Sequence, residues 1–134
     1  MKGKPIHLMF GSLFAMSAVI LGAFGAHALK EVLEPEQLHS FETGVRYQMY
    51  HALVIVMISL KGHHFHLNRE NLIVTLFGTG ICLFSGSIYL LNLQDLMGVN
   101  LGILGPITPI GGTLLIGAWG VLVYEAITLL AKKK

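Results

Sequence analysis

Four apolar stretches, each near the length that crosses a lipid bilayer, dominate this 134-residue chain. They run from about Ile6 to Leu29, Gly44 to Leu60, Leu72 to Leu91 and Ile107 to Leu130. A hydrocarbon core about 30 Å thick takes roughly 20 helical residues. Lipid offers the backbone no hydrogen-bond partner, so a spanning segment must satisfy its own amides and carbonyls. Without an alternating strand pattern, that means a helix. The chain therefore reads as an all-α integral membrane four-helix bundle, a single domain over residues 1–134.

Composition agrees. Apolar residues make up 54% and charged residues 12%, against roughly 25% charged in soluble domains. The net charge of +2, with no basic-aromatic surface pattern, gives no reason to expect a nucleic-acid partner. The single cysteine, Cys82, excludes an internal disulfide and a Cys-based zinc site. Placed mid-span, it reads as a small packing residue rather than a reactive thiol. Lys2, Lys4 and a following apolar run imitate a signal peptide, and Ala26-His27-Ala28 imitates its cleavage site. The run from Ile6 to Gly25 is longer than the 7–15 residues of a typical signal core, so it reads as a retained first span.

Basic residues orient the spans. Lys2, Lys4, Lys61, Arg69, Lys132, Lys133 and Lys134 fall on one side, and only Lys30 and Arg46 on the other. Both termini are expected in the cytoplasm. Small residues at steps of three and four mark seams where helices approach closely. They are Gly11, Ala15, Ala18, Gly22 and Gly25, running on to Leu29, in the first span; Gly78, Cys82, Ser85, Gly86 and Tyr89 in the third; and Thr113, Gly117, Gly120, Tyr124 and Thr128 in the fourth. Packing explains these seams better than conduction, because a pore needs more polar atoms. Pro35 can begin a short helix in the acidic first loop, and Thr108 with Pro109 should start the fourth span. The glycine-punctuated 93–105 segment should lie along the interface or dip into it.

The unusual stretch is Phe41-Glu42-Thr43-Gly44-Val45-Arg46-Tyr47-Gln48-Met49-Tyr50-His51. On a helix, Arg46, Tyr47, Tyr50 and His51 share an arc of about 140°, and Glu42 precedes Arg46 by four, the favourable order for an ion pair. His27 ends the first span on the same side. A polar cluster of His27, Glu42, Arg46, Tyr47, Tyr50 and His51 is thus a candidate site. It either pins helices together or binds a ligand or ion, with Arg46 held by a carboxylate and carbonyl oxygens because its charge is permanent. His27 and His51 also raise axial haem ligation, without a Cys-x-x-Cys-His motif to support it. His63, His64 and His66 form a short tract read as solvated or headgroup-facing rather than as a metal site. Glu125 should pair with a basic flank such as Lys4 or Lys61. No nucleophile–base motif or phosphate loop is present, and no cofactor or metal is expected.

Gly22 to Leu29, Thr43 to Ala52, Phe84-Ser85-Gly86-Ser87-Ile88-Tyr89-Leu90 and Pro106-Ile107-Thr108-Pro109-Ile110-Gly111-Gly112 together resemble motifs of domain-of-unknown-function family 423. These are small bacterial membrane proteins similar to eukaryotic transmembrane protein 256. The resemblance covers nearly the whole chain and implies a four-span protein of the bacterial cytoplasmic membrane, with no catalytic residues to carry over. In one departure, Ala118-Trp119 stands where Gly-Trp is usual. The leading expectation is a non-enzymatic membrane protein that acts by packing against the lipid bilayer, a protein partner or a second copy of itself. The alternative is a small transporter or ligand-binding protein using the Arg46 cluster.

Overall fold

A computed structural model describes residues 4–60 and 66–132. The four apolar stretches form four helices: α1, Pro5–His27; α2, Pro35–Leu60; α3, Leu67–Met97; and α4, Ile107–Ala131. Single 3-10 turns at Leu29–Glu31 and Gly102–Leu104 lie in the connections at one end of the array. Among the described residues, three stretches are long and apolar enough to cross a membrane: Pro5–Glu31, Asn68–Met97 and Gly102–Ala131.

The second helix begins nine residues earlier than the apolar run that announces it. Pro35 sits at its first position, where a missing amide costs nothing. Gln37 reaches back, and its side-chain oxygen accepts the Glu34 amide at 3.1 Å, half of a capping box. Residues 35–43 are too polar for lipid but helical nonetheless. The third helix, at 31 residues, is about 46 Å long at 1.5 Å per residue and outreaches the hydrocarbon. It stops at Gly98, whose φ of 65° is open to glycine without strain. There Val99 donates its amide to the Gln94 carbonyl at 3.1 Å and Gly98 donates to Asp95 at 3.2 Å, closing the helix end. The fourth helix starts two residues before the expected Pro109. Thr108 does not cap it: its hydroxyl crosses to Ser87 on α3 at 2.6 Å.

Helices pack in chain order, α1 on α2, α2 on α3, and α3 on α4, while α1 and α4 do not meet among the described residues. One core joins Ile55 and Ile58 of α2 to Ile73, Val74, Phe77 and Ile81 of α3 and to Leu115 and Ala118 of α4. A second core, at the end carrying the 3-10 turns, gathers Leu29, Leu33 and Phe41. Outward faces are apolar as well. Met9, Leu13, Met16, Ile20 and Phe24 on α1 are exposed, as are Ile116, Val123, Ile127 and Leu130 on α4. A soluble chain would hide such faces; in a bilayer they meet lipid.

The α1 seam lies where its spacing placed it: Gly11 abuts Ile55 and Val56, Gly22 abuts Val45, and Gly25 abuts the Phe41 ring. The α3 seam divides. Ser85 is buried, but Cys82 is exposed, so the packing role expected for it does not hold. The close approach on that helix is made by Gly80, against Leu115. The α4 seam is overturned. Thr113, Gly117, Gly120 and Tyr124 face outward, and nothing lies within 4 Å of a side chain added at Gly117 or Gly120. The buried face is Gly111, Leu115, Ala118 and Glu125. Small residues on both sides of α4 made spacing alone ambiguous. The decisive contact is Gly111, where an added Cβ would lie 2.2 Å from the Phe84 backbone nitrogen.

Gly111→Leu should therefore lower the thermal midpoint in detergent by many degrees, at or beyond the roughly 1–3 kcal/mol typical of overpacked cores. Gly117→Leu should unfold like the wild type. Equal midpoints for the two variants would reject this face assignment for α4.

Candidate functional site

The expected six-residue cluster is brought together only in part: Tyr47 lies beside Tyr50 and His51 and Arg46 beside Glu42, all on α2, while His27 bonds within α1. Arg46 sits a few turns into α2 with its side chain 44% exposed, 3.9 Å from Glu42 on the same helix face. It donates to the Thr43 hydroxyl at 3.0 Å, which itself donates to the His39 carbonyl at 3.0 Å. All these partners are local, so Arg46 neither pins α2 to another helix nor faces a buried site. A long side chain near a helix's polar end can extend its charge toward the headgroups while its stem stays in lipid. His27 is exposed and donates Nδ1 to the Ala23 carbonyl at 3.1 Å, also within its own helix. Tyr47 and Tyr50 are exposed, their rings 6.1 Å apart.

His51 is the buried member of the six. Its Nδ1 lies 2.6 Å from the Tyr47 carbonyl, and its Nε2 lies 3.2 Å from the Trp119 indole nitrogen. A carbonyl only accepts and an indole N–H only donates, so the ring is neutral with its proton on Nδ1. Both nitrogens are engaged. Phe77 stacks near both His51, at 5.3 Å, and Trp119, at 5.4 Å. This aromatic group links α2 to α4, whose backbones make no close approach.

Gln48, two positions beyond Arg46, joins three helices. Its amide nitrogen donates to the Phe14 carbonyl at 2.9 Å and to the Ser17 hydroxyl at 2.7 Å. Its oxygen accepts the Tyr89 hydroxyl at 2.7 Å. One side chain thereby connects α1, α2 and α3. Its signal in the sequence is its place on the buried face of α2, which runs through Phe41, Gly44, Gln48, His51, Ala52, Ile55 and Ile58. Ser85 adds a bond to the Gly44 carbonyl at 2.7 Å. Among the described residues, no fully buried side-chain nitrogen or oxygen lacks a partner.

A second polar layer lies at the other end, where α1 begins and α4 ends. Glu125 is paired with a basic residue as expected, here Arg69 rather than Lys4, and Lys61 lies outside the described residues. Arg69 also donates to Thr128 at 3.2 Å, its guanidinium lies 4.9 Å from the Tyr124 ring centre, and the His66 amide donates to Glu125 at 3.1 Å. Next in sequence, buried Glu70 holds His7 Nδ1 at 2.9 Å, and Lys4 donates to Asn71. Three consecutive residues of α3 thus hold α4 on one side and α1 on the other. Neither His7 nor Glu70 stood out in the sequence, because His7 opens the first apolar run and Glu70 just precedes the third, positions near a helix end where charge is unremarkable. From this layer a groove of about 460 Å³ runs between α1 and α3, floored by Ile55 and Val74. His63 and His64 lie outside the described residues, whereas His66 is exposed just before α3. No group of three or more metal-ligating side chains occurs among the described residues.

Residues 21–112 match the family described as "Protein of unknown function (DUF423)". The chain is 37% identical over 128 residues to the UPF0382 membrane protein YwdK of Bacillus subtilis, covering 93% of this chain and 98% of that protein. It is 42% identical over 122 residues to a UPF0382 membrane protein of Staphylococcus epidermidis, covering 91% and 95%. A UPF0382 membrane protein of Schizosaccharomyces pombe is 38% identical over 112 residues, covering 83% and 92%. No solved structure matches the chain.

The Arg69–Glu125 contact should behave as a buried pair. Arg69→Gln strands a carboxylate that is 3% exposed and should lower the thermal midpoint by several degrees, because an unpartnered buried charge is costly. Adding Glu125→Gln should restore part of the loss. A double variant less stable than Arg69→Gln alone would show that the two side chains are not coupled.

Proposed function

The chain belongs to the DUF423 family of membrane proteins, and on that premise we propose that it is a non-enzymatic, multi-pass protein of the cell membrane that works as a rigid helix array for a protein partner or a second copy of itself. The observation that carries this reading is the use of its buried polar groups. Gln48, His51, Ser85, Glu70 and Glu125 bond to other parts of the chain, and most of those bonds reach a neighbouring helix. Catalysis or transport through the core would call for polar groups held in reserve for a substrate. Here they serve the array.

In this reading all four helices cross, α2 through its apolar part from Gly44 to Leu60, which meets the lower length limit of about 17 residues. Lys4, Arg69 and Lys132 gather at one end and Lys30 and Arg46 lie toward the other, which supports cytoplasmic termini. Cysteines placed singly at Gln37, Asn100 and Lys132 in a Cys82→Ala background test the orientation in intact cells. An impermeant maleimide should label Gln37→Cys and Asn100→Cys and spare Lys132→Cys. The reverse pattern would invert the orientation.

The structural reading is tested at two neighbouring positions. Gln48→Leu removes the acceptor of Tyr89 and the donors that hold α1, and should lower stability by about 1–3 kcal/mol for each group left stranded. Bilayer hydrogen bonds average closer to 0.6 kcal/mol, so the lower end is expected. Arg46→Gln should change the midpoint little, since exposed ion pairs contribute roughly 0–1 kcal/mol. A destabilised Arg46→Gln beside an unaffected Gln48→Leu would transfer the structural role to Arg46 and overturn this reading.

A further inference from the structure

We propose that the groove between α1 and α3 is a binding site for one anionic phospholipid, with an acyl chain in the groove and the phosphate at Lys4 and His7. Its walls are Ile6, Phe10 and Phe14 on one side and Thr75, Gly78 and Cys82 on the other. From Ile6 to Phe14 it is about 12 Å long at 1.5 Å per residue, and its volume falls within the roughly 300–1,000 Å³ of small-molecule sites. The small side chains on α3 keep it open. A Cβ added at Gly78 would lie 3.7 Å from the Phe14 ring across the groove.

The polar end makes this more than a gap between helices. His7 lines the groove and is 9% exposed. Glu70 holds its Nδ1, and among the described residues its Nε2 has no protein partner. One helical turn before His7 on α1, Lys4 reaches across to Asn71 on α3, which lies one turn before the groove residue Thr75. That bond uses one of the three protons of its ammonium group. Polarity therefore falls in a fixed order along the groove: a cation, an imidazole, then hydrocarbon. A phospholipid in the adjoining leaflet presents phosphate, ester and acyl chain in the same order. A lipid tail moving from bilayer to groove gains no hydrophobic free energy, because its surroundings are equally apolar. Discrimination must come from the headgroup end, where the Lys4 ammonium suits a phosphate oxygen.

Native mass spectrometry of the detergent-purified full chain, titrated with phosphatidylglycerol, phosphatidylcholine or oleate, tests the proposal. The wild type should retain one phosphatidylglycerol, with several-fold preference over phosphatidylcholine and over oleate. Thr79→Phe, at an exposed groove position, should fill the channel and abolish retention while leaving the thermal midpoint unchanged. Lys4→Gln should keep binding but lose the preference. Equal retention of the two phospholipids by the wild type would overturn the proposal. So would undiminished binding in Thr79→Phe, a preference for oleate, or a lipid-free dimer as the retained species.

Discussion

Gln48 is the contact on which the helix arrangement depends. Apolar side chains cannot hold helices together in lipid as they do in water, since they leave one hydrocarbon environment for another. What remains is close packing and hydrogen bonds that lipid cannot replace. Gln48 supplies both donors and an acceptor at one point, and reaches the α1 backbone and the Tyr89 hydroxyl of α3 at once. Beside it, Gly44 lets α3 approach so closely that an added Cβ would lie 2.8 Å from the Tyr89 ring. The amide and the glycine work together: the small residue brings the helices near enough for the bonds to form.

The ionisable groups follow a different logic. Glu70 and Glu125 are buried, yet both sit near a helix end, and each bonds to a group from another helix. Arg46 lies toward the opposite end and remains exposed. Charge is thus kept out of the middle of the array, where neutral Gln48, His51, Ser85 and Tyr89 carry the polar contacts. Position along the helix, more than burial itself, decides which kind of polar group is tolerated.

Much of the fold was legible in the sequence because lipid imposes a length and a composition on every crossing segment. Three of the four helices are long and apolar enough to follow from that, and the α1 seam was legible because it faces a single neighbour. The polar contacts were harder to read. Arg46 drew attention through its charge, but a side chain's charge says nothing about which way its helix turns, and α2 buries the face two residues on. The start of α2 was hidden for a related reason: hydropathy reports depth, and residues 35–43 are helical outside the hydrocarbon. On α4, Gly117 and Gly120 offered a seam as convincing as Gly111 and Ala118, and only the packing against Phe84 separates them. Cys82 was misplaced because α3 meets α2 and α4 but leaves a third face to the groove.

That open face follows from the order of packing. Helices stacked in chain order, with α1 and α4 apart among the described residues, lay α1 along α2 and leave little of it against α3. At the end bearing the 3-10 turns, Gly22 and Gly25 bring α1 onto Val45 and Phe41. At the other end, Lys4 and His7 tie it to α3. Between these fastenings the bulky Phe10 and Phe14 face the small side chains of α3, and the helices separate enough to form the groove. A bilayer does not leave such a space empty. An array built this way makes lipid part of its packing on the face where its own side chains do not meet.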